Sequence, residues 1–186
     1  MRSLTASVAR GLAALTYVLL ASAASAEVPE PQAYWTGPMH SEVPASLSGA
    51  RIIHAQDLEQ GTAVLIDAAA APRRPDNLAP GTIWKPVPHQ DIAGSVWMPD
   101  MGASKLTPDE ESFYRERLRV LTVSDLDRPI VFYCHPNCWG SWNAAKRALA
   151  LGFRNVAWFP DGAEGWQDAG HLLVAAEPET PPRPGN

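Results

Sequence analysis

Both thiols of this 186-residue chain fall within five residues, at Cys134 and Cys138. A thiolate at the first position can act as a nucleophile. The second can then attack a sulfenic acid, persulfide or mixed disulfide formed on it. The same spacing also permits a local disulfide. Closing so short a loop removes little denatured-chain entropy, so a bond here points to a local or redox role rather than to a stabilising framework. The spacing is Cys-x-x-x-Cys, not Cys-x-x-Cys, and no His follows Cys138 as haem attachment requires. His54, His89, His135 and His171 are scattered, so no metal site is expected. A phosphatase-type cysteine loop carries Arg six positions after its Cys; Gly140 stands there, and phosphoryl transfer would lack its guanidinium clamp.

The elements around the pair set what it can do. Pro129-Ile130-Val131-Phe132-Tyr133 reads as a buried strand that ends at Cys134, and a helix is expected to begin near Ser141 and run to Gly152. A thiol between a parallel strand and a helix lies where α/β domains place reactive groups. Loop amides and the positive end of that helix can lower the pKa of Cys134. His135 can add favourable charge when protonated or can stand in solvent. Trp139 and Trp142 flank the helix start, one able to shield the thiol and the other to pack on the sheet. Lys146 and Arg147 are expected on the exposed face.

Upstream, Ala63-Val64-Leu65-Ile66-Asp67 is a second buried strand, delivering Asp67 to its carboxyl end or using it to cap the next loop. Residues 51–54 make a short strand and 55–60 a helical turn. Residues 68–92 form a Pro-punctuated loop, and 94–99 enter a further strand. Thr107-Pro108-Asp109-Glu110 is a helix start with cap, N1 proline and capping-box acid; Phe113, Leu118 and Leu121 are expected to face inward from it. Asn155–Phe159 adds a strand, and a short helix surrounds Gly165-Trp166. Trp158 is expected in the core, with Trp84 and Trp97 as candidates for an exposed loop platform. Strand, cysteine loop, helix and strand make a crossover unit, and hence an α/β domain with a mainly parallel sheet.

The first 26 residues read as an export signal: Arg2 and Arg10, then a short apolar run ending Ala24-Ser25-Ala26. Cleavage before Glu27 predicts a periplasmic or secreted product with no stable membrane span. Without Arg2 and Arg10, 13 Lys+Arg face 20 Asp+Glu, a net charge of −7 that argues against nucleic-acid binding. The remainder divides into an irregular N-terminal extension over 27–50, one domain over 51–175 and a flexible tail over 176–186.

The stretch IVFYC, SWNAAKRALALGF, NVAWF and DGAEGWQDAG, together with the earlier LID and IAGSVWMP, resembles a rhodanese-like domain over residues 51–171. Within it, YC...CWGSWNAAKRALALGFRNVAWFPDGAEGW is similar to the periplasmic PQQ-dependent catabolism-associated CXXCW motif family. The resemblance implies a central five-stranded sheet flanked by helices. It also implies Cys134 as the sulfur-carrying nucleophile, able to hold a persulfide, in a cradle made by the backbone of residues 135–140. Asp67 matches the acid after the family's early strand. Ala69 stands where the usual arginine follows that acid, and the cysteine loop is one residue longer, with Cys138 and Trp139 in place of the ordinary glycine and basic residue.

The candidate site is therefore Cys134 and Cys138, supported by Asp67, His135, Trp139, Gly140 and Ser141. No intrinsic cofactor is expected, and the association with PQQ is a functional one implied by the resemblance. Two functions follow. One is sulfane-sulfur handling or thiol exchange with a small thiol or a periplasmic protein, Cys134 attacking and Cys138 resolving. The other is a non-enzymatic binding or assembly module for a periplasmic PQQ-dependent dehydrogenase system.

Overall fold

The computed structural model describes residues 28–58 and 61–181; the expected export signal lies outside them. Five strands form one all-parallel sheet in the order β1-β6-β5-β2-β4: β1 Arg51–Ile52, β2 Val64–Asp67, β4 Ser95–Trp97, β5 Ile130–Tyr133 and β6 Val156–Phe159. Helices α1 Pro108–Leu121, α2 Trp139–Ala150 and α3 Gly162–Asp168 flank it. This is the α/β architecture expected from the alternation of apolar runs and helical patterns.

The apolar runs are continuous because both sheet faces are covered. Ile66, Phe132 and Trp158 face α1 and α2, in one cluster with Tyr114, Leu118, Trp142 and Ala145. Their neighbours Leu65, Val131, Tyr133, Ala157 and Phe159 face the other way, onto Ala163 and Trp166 of α3 and Ala55 and Leu58 around a single 3-10 turn. Period-two alternation along each strand thus feeds two cores.

Helix α1 begins as its sequence dictates. Glu110 N–H donates to Thr107 Oγ1 (3.3 Å), Thr107 N–H donates to Glu110 Oε2 (2.7 Å), and Pro108 occupies the first turn. Its inward face is centred on Tyr114 and Leu118, both fully buried, with Phe113 and Leu121 only partly covered. The tyrosine enters the core because its hydroxyl has a partner, donating to the carbonyl of Ala144 at 2.6 Å.

Two expectations are corrected. Arg147 is buried rather than solvated: its guanidinium donates to the carbonyls of Met101 (2.7 Å) and Ala103 (2.9 Å) and lies 4.5 Å from the ring centroid of Tyr34. Trp97 is no exposed platform; it is buried, and its indole donates to Ala69 O at 2.8 Å. Beyond β4, the chain also touches the sheet at residues 178 and 179. Pro178 bridges to Trp97, Glu179 N–H donates to Trp97 O (2.8 Å), and the Glu179 carboxylate pairs with Arg117. Residues 182–186 lie outside the described residues.

A small antiparallel ribbon escaped the sequence reading. β3 Gln90–Ile92, at the end of the proline-rich loop, pairs with β7 Leu173–Ala175. Two three-residue strands of unlike composition carry no periodicity, and only their pairing defines them. The ribbon buries Asp91, whose Oδ2 has no hydrogen-bond partner. Burial, with a lesser contribution from Asp67 and an opposing one from His89, pushes its pKa up to about 6 from 3.8.

Two outcomes test this packing. Arg147→Ala leaves the Met101 and Ala103 carbonyls without their donor and is expected to cost about 2 kcal/mol in urea unfolding. For Asp91, the folded state holds its proton more tightly than the unfolded state, so its contribution is full below about pH 3.8 and is lost as pH rises to about 6. Asp91→Asn is therefore expected to be more stable than the parent by on the order of 1 kcal/mol at pH 7, the gap closing toward pH 4, in thermal melts across that range.

Candidate active site

The carboxyl ends of β2 and β5 lie side by side, with Asp67 in register with Tyr133 and Cys134 following immediately. Parallel neighbours deliver their last side chains to one edge of the sheet, where α/β domains place reactive groups. Here the edge holds a small buried cluster of Ala69, Cys134 and Cys138. The two cysteines are joined as a disulfide, with Cα atoms 6.3 Å apart.

The loop between them turns at Asn137, whose φ of 55° lies in the left-handed region that asparagine tolerates better than most residues. Helix α2 starts at Trp139, two residues earlier than expected, so Cys138 is its N-cap. Tertiary contacts account for the early start. Trp139 N–H donates to the carbonyl of Met39 at 2.9 Å, satisfying one of the donors a helix N-terminus leaves free. That amide is consequently turned toward Met39 and away from any cradle around Cys134.

Met39 belongs to a strap that crosses the loop. Residues 35–41 form no strand of their own, yet His40 bridges antiparallel to Cys138, and Ser41 N–H donates to Asn137 O at 3.0 Å. Trp35 stacks on Trp139 with centroids 4.2 Å apart, and the Trp139 indole donates to Ser41 Oγ at 3.0 Å. Trp35 N–H also donates to the side chain of Asn143 in α2 at 2.8 Å. Both tryptophans at the helix start are fully buried; Trp139 packs under the strap and edge-on to Trp142, 5.4 Å between centroids.

The remaining site residues separate into near and far. Gly140 is beside the disulfide: a Cβ there would stand 3.3 Å from Cys138 Sγ and 3.2 Å from Ala68 O, close enough that these neighbours would have to give by a few tenths of an ångström. Gly162 makes a similar close approach at φ 62°, where a Cβ would come within 2.5 Å of Cys134 O, and Ala163 N–H donates to that carbonyl at 2.9 Å. Ser141 has a structural role, donating to Cys138 O (3.3 Å) and accepting from the Trp158 indole (3.0 Å). His135 turns away from the sulfurs and pairs through Nδ1 with Glu164 of α3 at 2.8 Å, both partly exposed.

Asp67 is fully buried and does both things the sequence allows. Its Oδ1 accepts from Ala69 N–H (2.8 Å), capping the turn after β2, while His89 Nε2–H donates to its Oδ2 at 2.7 Å. His89 reaches Asp67 from 22 residues downstream and stacks on Trp97 with centroids 3.9 Å apart. No local spacing announces that contact; it exists because the long proline-rich loop folds back over the end of β2. Nearby, Tyr133 hydroxyl donates to Ser95 Oγ (2.8 Å) and accepts from Ile92 N–H (2.9 Å), and burial holds its pKa far above the ordinary phenol value.

An open cavity of about 520 Å³ adjoins the loop, lined by Cys138, Gly140, strap residues including Met39 and His40, and Ala68, Ala71 and Arg73 from beyond β2. Cys134 is not among its lining residues. The arrangement can accommodate a small reactant against one sulfur of an oxidised pair, with the second sulfur behind it.

Among curated proteins none matches this chain. Among solved structures, thiosulfate sulfurtransferase from Pseudomonas aeruginosa is similar at 18% identity and a TM-score of 0.46, over 72% of this chain and 22% of that one. The chain thus spans about a fifth of that protein's length. The model of the Rhodanese-like domain matches residues 53–169, a span that runs from the end of β1 through the cysteine loop to the end of α3, and the chain belongs to that family.

Proposed function

We propose that this is an exported rhodanese-like protein that handles sulfane sulfur through Cys134 and Cys138 in the service of PQQ-dependent catabolism. The observation that carries the sulfur chemistry is the disulfide inside the family's nucleophile loop. It is the product expected when a second thiol resolves an intermediate on the first. The apolar leader and the persistence of disulfides outside the cytosol support export, and the sequence around the Cys-Trp dipeptide supports the PQQ association.

The chemistry runs in two displacements. The Cys134 thiolate attacks the outer sulfur of a sulfane donor R–S–SH, forming Cys134–S–SH and releasing R–S⁻. Deprotonated Cys138 then attacks Cys134 Sγ, and HS⁻ leaves as the intramolecular disulfide forms. The donor's sulfane sulfur is reduced to sulfide and the two cysteines are oxidised. An external thiol must then return the pair to the dithiol.

A second reading draws on the surface. Ile83 and Val87 stand 86% and 82% exposed on the proline-rich loop, an arrangement suited to contact with another protein. On that reading the domain is an assembly module for a periplasmic PQQ-dependent dehydrogenase system and has no need of its sulfurs.

Single serine variants separate the two. With reduced protein and a sulfane donor, Cys138→Ser is expected to accumulate a persulfide on Cys134, visible in intact mass as one added sulfur atom. Cys134→Ser is expected to lose sulfide release by at least about a hundredfold, as removal of a nucleophile does. If neither substitution changes sulfur acceptance or sulfide release, the sulfur-handling reading is wrong. Partner association that survives replacement of both cysteines would favour the assembly module.

A further inference from the structure

We infer that the thiol returning the oxidised pair to the dithiol enters at Cys138, and that the cavity beside Cys138 receives an amino-acid-derived, low-molecular-weight thiol. This rests on the sulfur-handling reading and adds to it the identity of the attacked sulfur and the class of the reductant.

Thiol–disulfide exchange is a displacement at one of two sulfurs, and access is among the factors that decide which. Both cysteines are buried, 1% exposed at Cys134 and 5% at Cys138, but only Cys138 lines the cavity of about 520 Å³. Gly140 keeps that approach clear, since a Cβ there would stand 3.3 Å from Cys138 Sγ. The incoming thiolate R–S⁻ forms a bond to Cys138 Sγ as the Cys134–Cys138 bond breaks, and the electron pair leaves on Cys134 as thiolate. A second R–S⁻ then attacks the R-bearing sulfur of the mixed disulfide, forming R–S–S–R as the bond to Cys138 Sγ breaks and Cys138 leaves as thiolate. Two thiols are oxidised and one disulfide is reduced.

The walls define what fits. One side is the strap, held by the Trp35–Trp139 stack and by the Met39 and Asn137 carbonyls that accept from Trp139 and Ser41. The other is the turn after β2, ending at Arg73, which pairs with Asp100 at 3.3 Å. The volume is in the range of small-molecule sites. An ion pair as exposed as Arg73–Asp100 contributes little in itself, so exchanging its partners for the carboxylate and ammonium of a zwitterionic thiol costs little.

The test uses the protein without its leader, oxidised, with glutathione as the probe. Samples quenched in acid, alkylated and mapped by peptide mass are expected to carry the mixed disulfide on Cys138 and the alkyl group on Cys134. In single variants, Cys134→Ser is expected to form a mixed disulfide with oxidised glutathione at least about tenfold faster than Cys138→Ser, since both thiols share one loop and differ in access. Filling the cavity with Ala71→Trp is expected to slow reduction by glutathione about tenfold or more, with an unchanged thermal melt confirming the fold. A mixed disulfide mapped to Cys134, or equal rates in the two serine variants, overturns the entry site. Reduction by a dithiol protein such as thioredoxin but not by glutathione overturns the thiol class. If glutathione adds to Cys138 while no sulfane donor yields sulfide, the entry site stands and the sulfur-handling reading falls.

Discussion

The bond between Cys134 and Cys138 ties the end of the central strand to the cap of the helix that follows it, and the rest of the site is arranged around that short closure. Cys138 is the N-cap of α2, which begins at Trp139, and the Trp139 ring enters the core instead of lining a loop. The ring then offers a flat face to Trp35, and the loop backbone offers an amide and a carbonyl to residues 39 and 41. A segment with no regular structure is thereby fixed across the sulfurs. Its backbone groups find partners in the loop itself, which is the condition for burying irregular chain.

The second constraint is electrostatic. A buried carboxylate at the end of β2 needs a partner, and Asp67 finds one in His89 and another in the amide of Ala69. The histidine also stacks on Trp97, so a single contact draws the proline-rich loop over the strand ends and clamps β4 to β2. Asp91 shows the contrasting case. It lies beside the same pair, has one oxygen with no partner, and is pushed toward its neutral form.

These contacts also set the asymmetry of the two sulfurs. The strap covers one side of the cysteine loop and walls a cavity lined in part by Cys138, while Cys134 is outside that lining and its carbonyl accepts from Ala163 N–H at the start of α3. In a reading confined to the strand-loop-helix unit, Cys134 is the reactive thiol because it stands at the strand end. With the strap and the turn after β2 in place, Cys138 is the member of the pair that lines the cavity.

By itself the sequence determined the α/β class, the strand ending at Asp67 and the one leading into Cys134, the capping box at Thr107 and the placement of both thiols in one loop. All of these are local: apolar runs, cap chemistry and spacing act over a few residues, so they are legible in order along the chain. The tertiary structure decided what is non-local. It buried Arg147 between Tyr34 and two backbone carbonyls, brought His89 to Asp67, paired β3 with β7, docked Glu179 on β4, and laid Trp35 on Trp139. Each of these joins residues at least 22 positions apart, and no local pattern names both partners. Their partners were chosen by the cost of leaving buried charges, amides and aromatic faces unsatisfied, which exists only once the chain has folded around them.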